Sequence, residues 1–139
     1  MFCGEFLHTL DAKKRLVLPS KFREELGCEV VMSRNFDKCI SLYPSESWKQ
    51  FCSKLDELPA TKTKSARRFL YASAFETVLD SQSRLLISPN LCEYASLEKN
   101  VAVIGVGDHI EIWDAQLWEE EKNSENAAQI EATLAELGL

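Results

Sequence analysis

The sequence predicts an α+β fold in which two copies of one small β/α unit, each of roughly 70 residues, pack around a shared core. A length of 139 residues favours one domain or two very small ones. Short strands and helices do not alternate singly along the chain, which disfavours a parallel βαβ arrangement. Because one such unit buries too little apolar surface to be stable alone, the duplication predicts a fused pseudo-dimer.

The duplication is visible in residue pairs that keep a constant spacing. Residues 10–19 (LDAKKRLVLP) return as residues 79–89 (LDSQSRLLISP), at first with an offset of 69. One extra residue before the second proline changes the offset to 70. The pairs at that offset are Pro19 with Pro89, Val31 with Val101, Ile40 with Ile110, Tyr43 with Trp113 and Trp48 with Trp118. We therefore divide the chain into a first repeat (1–60), a connecting helix (61–74), a second repeat (75–118) and an acidic C-terminal helix (119–139).

Each unit is predicted to contain the same elements in the same order. Two short apolar runs flank a polar turn with an aspartate and predict a β-hairpin, at 6–18 and again at 75–87. A proline then ends the strand and opens a short helix, at 20–26 and 90–97. Two further strands follow, at 29–33 and 39–43 and again at 100–106 and 109–113. A helix closes each unit, capped by Ser45 or Ser47 in the first and by Asp114 in the second, and an extra helix covers 62–72.

The net charge of −6 is unevenly distributed. Residues 1–100 contain 15 basic and 13 acidic side chains, whereas residues 101–139 contain one basic and nine acidic side chains. A basic face can therefore coexist with an acidic chain. The five cysteines form no CxxC and do not cluster with the two histidines, so we expect no metal site, no disulfides and mostly buried thiols.

The motif Asp-x-x-x-Arg occurs at equivalent places in both units, as Asp11/Arg15 and Asp80/Arg84. One interpretation is a turn device, in which the aspartate accepts backbone N–H groups and the arginine pairs with it. The other is DNA contact, because a guanidinium binds guanine or phosphate through two parallel hydrogen bonds. The two roles are compatible, and Lys13 and Lys14 add charge beside Arg15.

Other candidates favour structural interpretations. A basic cluster is expected to be a solvated helix face rather than a DNA contact: Lys62, Lys64, Arg67 and Arg68. Three tryptophans are expected in the core rather than stacked on bases: Trp48, Trp113 and Trp118. His8 is expected in a strand and His109 at an exposed position. The tail is expected to form an amphipathic helix that packs on its own chain or a neighbour through Ala127, Ile130, Leu134 and Leu137.

No catalytic or nucleotide-binding motif is present, so we expect neither an enzyme nor a cofactor. No apolar run approaches the roughly 18 residues of a membrane span. The first residues do not read as a signal peptide, and the expected location is the cytoplasm.

The duplicated Asp-x-x-x-Arg units resemble the MraZ family, within the AbrB-like swapped-hairpin group. The segments that carry the resemblance span the chain: Met1-Phe2-x-Gly4, Leu10-Asp11 to Pro19, Leu42-Tyr43-Pro44 with Trp48, Arg84-Leu85-Leu86-Ile87-x-Pro89, and Ile112-Trp113-Asp114 with Trp118. The chain departs from the family where Lys14 and Ser83 replace the usual glycine before each arginine. Since positive φ is uncommon outside glycine, Lys14 and Ser83 are unfavourable for the turn conformation that the usual glycine allows.

The resemblance implies two tandem AbrB-like swapped-hairpin β/α repeats that form one pseudo-symmetric domain, and subunits that assemble into a homo-oligomeric ring. It implies binding to promoter direct repeats in double-stranded DNA, at the nucleoid, and repression of the protein's own division and cell-wall operon. Carried over by position, Arg15 and Arg84 are the leading DNA contacts, Lys13 and Lys14 are secondary, and Asp11 and Asp80 shape the turns. The alternative is an antitoxin-like module that neutralises a protein partner through its acidic C-terminal helix.

Overall fold

The computed structural model describes residues 1–139 and confirms the α+β class. The first unit contains β1 (Phe2–Thr9), β2 (Arg15–Val17), α1 (Ser20–Leu26), β3 (Glu29–Arg34), β4 (Ile40–Pro44) and α2 (Ser45–Asp56). Helix α3 (Ala60–Tyr71) follows. The second unit contains β5 (Phe75–Val78), β6 (Arg84–Leu86), α4 (Pro89–Tyr94), β7 (Asn100–Gly107), β8 (Ile110–Asp114) and α5 (Ala115–Asn123), and α6 (Ala127–Glu136) ends the chain. None of these helices combines the length and apolar character needed to cross a membrane.

The two units exchange their first strands. The main antiparallel sheet has the order β1-β7-β8-β4-β3-β5, and β2 and β6 form a separate two-stranded ribbon. The predicted pairing within each hairpin is therefore wrong, because all four hairpin strands pair with elements of the other unit. Short apolar runs specify that strands form, but they do not specify which copy supplies the partner. The exchange agrees with the intertwined hairpins that the family resemblance implies.

The exchanged strand β1 lies close to β7. Gly4 pairs with Gly105 across the two strands. A side chain at Gly105 would collide with the backbone of Phe2 and Cys3, so glycine is required by space at this position.

In the structure, the extra or missing residues that distinguish the two repeats lie at positions different from the one inferred from the sequence. The residues before α1 and α4 are Pro19 (φ −54°, ψ 134°) and Ser88 (φ −53°, ψ 133°), so the offset of 69 continues to the helices. Strands β3 and β7 begin 71 residues apart, and β4 and β8 begin 70 apart. The matches of Pro19 with Pro89 and of Val31 with Val101 are therefore wrong. Pro89 is the first residue of α4, where its missing N–H is tolerated.

The helix ends follow the predictions only in part. Asp114 caps α5, since its Oδ2 accepts a hydrogen bond from the backbone N–H of Leu117 at 3.2 Å. Neither predicted serine caps α2, because Ser45 is already inside the helix and Pro44 precedes it. Helix α4 ends at Tyr94, short of the predicted residue 97, and Ser96 beyond it has φ 55°.

One core is shared by both units. Strand β3 is buried on both faces: Val30 and Met32 join the main cluster, and Val31 joins a smaller cluster on the opposite face. The main cluster takes its largest wholly buried side chains from both units: Leu16, Leu18, Phe22, Leu26, Met32, Ile40, Leu42, Leu85, Ile87, Leu91, Ile110 and Ile112. This shared burial explains why neither copy is expected to fold alone.

The tryptophans occupy the outer clusters, as predicted. Trp48 and Trp113 are buried, and Trp118 packs against Trp113 with ring centres 5.3 Å apart. The prediction of mostly buried cysteines is wrong for Cys3 and Cys28, which are exposed. Cys3 points outward from the edge strand β1, and Cys28 lies in the connection before β3.

The acidic tail forms two helices instead of one. Residues 124–126 separate α5 from α6, and the side chain of Asn126 caps α6 by accepting a hydrogen bond from the N–H of Gln129 at 3.1 Å. Every residue of α6 is exposed, so the predicted packing of its apolar stripe on its own chain does not occur.

Candidate nucleic-acid interface

The first Asp-x-x-x-Arg segment is a turn held by one carboxylate. Asp11 Oδ1 accepts hydrogen bonds from the backbone N–H groups of Lys13 and Arg15, both at 2.9 Å. Asp11 Oδ2 accepts a third bond from Arg15 Nε at 2.7 Å. The aspartate therefore fixes both the backbone of the turn and the direction of the arginine.

The second segment repeats this geometry. Asp80 Oδ1 accepts from the N–H groups of Gln82 at 2.8 Å and Arg84 at 2.9 Å, and Oδ2 accepts from Arg84 Nε at 2.8 Å. In both turns the backbone N–H of the arginine, opposed by desolvation and aided by the guanidinium, holds the pKa of the aspartate below its usual value. Both carboxylates are consequently ionised at neutral pH.

Each arginine keeps one edge available for a ligand. Only Nε of Arg15 and of Arg84 pairs within the chain, and their Nη groups donate no hydrogen bond to it. The side chains are 30% and 27% exposed. Because a guanidinium has five N–H donors in a fixed fork, the Nη groups remain able to bind an external acceptor.

The ribbon brings both arginines to one surface. Arg15 pairs with Leu86 and Arg84 pairs with Val17 across β2 and β6, while Leu16 and Leu85 between them are wholly buried. Paired residues of a ladder share a face, and successive residues alternate between faces. The outer face of the ribbon therefore consists of Arg15, Val17, Arg84 and Leu86. The two arginines are diagonal neighbours, roughly 7–8 Å apart in backbone position.

Both turns place a residue other than glycine in the left-handed conformation. Lys14 and Ser83 each have φ 60°, so both adopt a positive φ although neither is glycine. A left-handed conformation costs a residue with a side chain about 1–2 kcal/mol. The three hydrogen bonds to each aspartate offset that cost.

The two turns differ in charge. Lys13 and Lys14 are exposed in the first turn, and the equivalent positions of the second turn are Gln82 and Ser83. With its arginine, the first turn therefore has three cationic side chains and the second has one. Any polyanion that spans both turns meets an asymmetric surface.

The basic cluster of α3 lies on the opposite face of the sheet from the ribbon. Leu70 of α3 packs with Val31, whereas the ribbon packs with the neighbouring residues of β3. Lys62, Lys64 and Arg68 are exposed, as expected for a solvated helix face. Arg67 instead turns inward and donates to the backbone oxygens of Leu55 and Asp56, both at 3.5 Å.

A polar cluster at the seam between the units was missed by the sequence analysis. His109, expected to be exposed, is largely buried and stacks on Tyr43 with ring centres 4.9 Å apart. Its Nδ1 lies 2.7 Å from Asp108 and its Nε2 lies 3.5 Å from Glu111. Burial disfavours the charged imidazole, but the neighbouring carboxylates of Glu111 and Asp108 outweigh it and raise the pKa of His109. Glu111 also accepts from Asn35 at 3.1 Å.

Comparison with known proteins agrees with the duplication. A family model described as "MraZ protein, putative antitoxin-like" matches the chain twice, over residues 1–72 and 70–137. A protein of Lactiplantibacillus plantarum named "Transcriptional regulator MraZ" is 50% identical over 123 residues, 86% of each chain. Proteins of the same name are similar from Thermoanaerobacter sp., at 46% identity over 89% of this chain and 88% of the relative, and from Clostridium tetani, at 42% identity over the full length of both.

Proposed function

The chain belongs to the MraZ family, and from that premise we propose that it is a DNA-binding transcriptional regulator that contacts DNA through the outer face of the β2–β6 ribbon and the two turns beside it. Its relatives are named as transcriptional regulators and not as enzymes, which supports the regulatory class. Double-stranded DNA is the proposed partner, and the cytoplasm and nucleoid are the proposed location.

The observation that supports this surface most strongly is the shared direction of Arg15 and Arg84. The major groove of B-DNA, about 12 Å wide, admits a two-stranded ribbon, and an arginine there binds guanine O6 and N7 through two bonds. The Nη groups that the chain leaves unpaired are the donors such a contact needs. Val17 and Leu86, 42% and 44% exposed beside them, are suited to contact with thymine methyl groups.

An acidic subunit with few cations at its turns needs several contacts to bind tightly. We propose that subunits form a ring and bind short direct repeats upstream of the protein's own division and cell-wall operon, which they repress. Linking sites in this way strengthens binding by about 10²–10⁴ when the geometry permits simultaneous engagement. Lys13 and Lys14 provide secondary phosphate contacts that strengthen the ionic part of the binding.

Fluorescence anisotropy tests the proposal with the duplex upstream of the protein's own gene and a scrambled duplex, at two salt concentrations. Arg15→Ala and Arg84→Ala are expected to lose binding to the native duplex while the protein stays folded. Lys64→Ala is the control, since it removes one exposed cation from α3, on the opposite face of the sheet from the ribbon. Equal, weak binding of the wild type to both duplexes, or unchanged affinity in both ribbon variants, would overturn the proposal.

A further inference from the structure

Helix α6 presents an apolar stripe that no part of its own chain covers. Ile130, Leu134 and Leu137 lie along it and are 49%, 41% and 77% exposed. The helix also contains Glu131 and Glu136 and no lysine or arginine. An exposed stripe of this kind, bordered by charge of one sign, indicates a binding surface.

The duplication shows that the corresponding helix of the first unit is covered. Helix α6 follows α5 as α3 follows α2, and both matches to the family model reach into these final helices. Thr63 and Leu70 of α3 occupy the positions of Ile130 and Leu137, each pair 67 residues apart, and both α3 residues are buried. The stripe on α6 is therefore more apolar than the equivalent stripe on α3, and nothing in its own chain covers it.

Charge decides against pairing of α6 with another α6. Two copies of this helix would bring glutamates together without a cation to neutralise them, and like-charge contacts disfavour association. The covering surface should instead combine an apolar centre with basic side chains.

Such a surface exists at the turn between β3 and β4. Phe36 is 71% exposed and stacks on Phe69 of α3, with ring centres 5.1 Å apart and planes at 7°. Arg68, next to Phe69, and Lys62, two helical turns before it, are exposed on α3, and Lys38 lies over Tyr94, 5.5 Å from its ring centre. We call the set Phe36, Phe69, Lys38, Arg68 and Lys62 the Phe36 patch. Asp37 is the acid within the same turn.

We propose that α6 of one copy of this chain docks through Ile130, Leu134 and Leu137 on the Phe36 patch of a second copy. The lengths agree, because Ile130 and Leu137, like Lys62 and Phe69, are seven residues apart, which corresponds to a rise of roughly 10 Å in a helix. Glu131 and Glu136 then face the lysines and arginine of the patch. A contact between two different surfaces is head-to-tail, and repetition of such a contact forms a ring when the rotation between successive copies closes.

This inference rests on the assembly part of the proposed function and does not depend on DNA contact. The test is therefore sedimentation velocity of the full chain without DNA, over a range of concentrations. Phe36→Ala and Leu134→Ala are each expected to weaken association by about tenfold or more, as truncation of a central contact does. Leu58→Ala is the matched control, since Leu58 is 52% exposed and lies outside the patch. Thermal unfolding of each variant checks that the fold is retained.

Charge reversal tests the choice of partner surface. The double variant Glu131→Lys/Glu136→Lys should dissociate, as should Lys62→Glu/Arg68→Glu, and an equimolar mixture of the two should associate again. A monomeric wild type would overturn the proposal. Loss of assembly in the α6 variants but not in the patch variants would also overturn it. That result would show that α6 binds another surface or a different protein. Anisotropy with a duplex of one repeat separates this failure from failure of DNA binding, because Phe36→Ala should leave that affinity unchanged.

Discussion

Leu16 of the first unit and Leu85 of the second face each other at the centre of the β2–β6 ribbon, and both side chains are wholly buried. They are equivalent residues of the two repeats. A second equivalent pair, Ser41 and Glu111, faces across β4 and β8 in the main sheet. An approximate two-fold axis therefore passes through both pairs and relates the two halves of one chain.

The leucine pair predicts that the two units unfold together. Leu16→Ala and Leu85→Ala should each lower the free energy of unfolding by about 3 kcal/mol, because each opens a cavity in the shared core. The effects should not add in the double variant, since the side chains are neighbours. Denaturant unfolding followed by two probes checks this, and separate transitions for the two units would contradict it.

The unequal charge of the turns predicts unequal ionic contributions to DNA binding. Replacing Lys13 by Gln and Lys14 by Ser gives the first turn the residues of the second. The slope of log affinity against log salt should become less negative by about 0.9 for each phosphate that a lysine no longer neutralises. Discrimination between native and scrambled duplexes should persist, because both arginines remain. An unchanged slope would show that Lys13 and Lys14 do not contact phosphates.

The left-handed residues predict a stabilising substitution. Lys14→Gly and Ser83→Gly should each raise the free energy of unfolding by about 0.5–1 kcal/mol, since glycine adopts φ 60° without a steric cost. Lys13→Gly is the control, because its φ is not positive and glycine there only increases the freedom of the unfolded chain. Equal effects of Lys13→Gly and Lys14→Gly in denaturant unfolding would show that the turn is not strained.

The aspartates predict acid sensitivity of the turns. Because the pKa of Asp11 and that of Asp80 are lowered on folding, their contribution to stability is complete above the unfolded value of about 3.9. It is lost as the pH falls through the folded values. Asp11→Asn/Asp80→Asn should therefore flatten the dependence of stability on pH in the acid range. A wild-type slope retained by the double variant would assign acid sensitivity to other carboxylates.

His109 predicts the opposite dependence. Its pKa is raised on folding, so its contribution is complete below about pH 6.5 and is lost as the pH rises through the folded value. A proton-resonance titration should give a pKa above 6.5. Glu111→Gln should lower that pKa more than Asp108→Asn does, because the Glu111 side chain is far less exposed to solvent than that of Asp108. An unshifted or lowered pKa in the wild type would show that the two carboxylates do not outweigh the burial of the ring.

Local features of the fold were predictable from the sequence because they depend on neighbouring residues. The apolar periodicity located the strands and helices, and the repeated aspartate located both turns. The pairing of Leu16 with Leu85 was not predictable from periodicity, since the same apolar run can pair with a strand of its own unit or of the other unit. The family resemblance, which covers the whole chain, supplied the exchange of hairpins.

The candidate site shows the same division. The bonds from Asp11 to the turn follow from a spacing of four residues, so the motif was enough to predict them. The cluster around His109 was missed because Glu111 meets Asn35, 76 residues away. The alignment of Pro19 with Pro89 failed because identity of residue type was preferred to equivalence of position in the helix.

The exchange of strands has a consequence during synthesis of the protein. Strand β1 leaves the ribosome first, and its partner β7 is about 100 residues behind it. At roughly 5–20 residues per second, an eight-residue strand waits about 5–20 s without its native partner. An unpaired strand is a template for contact with other chains. A nascent chain interrupted before Asn100 therefore carries a complete first repeat that has no means of closing its own sheet.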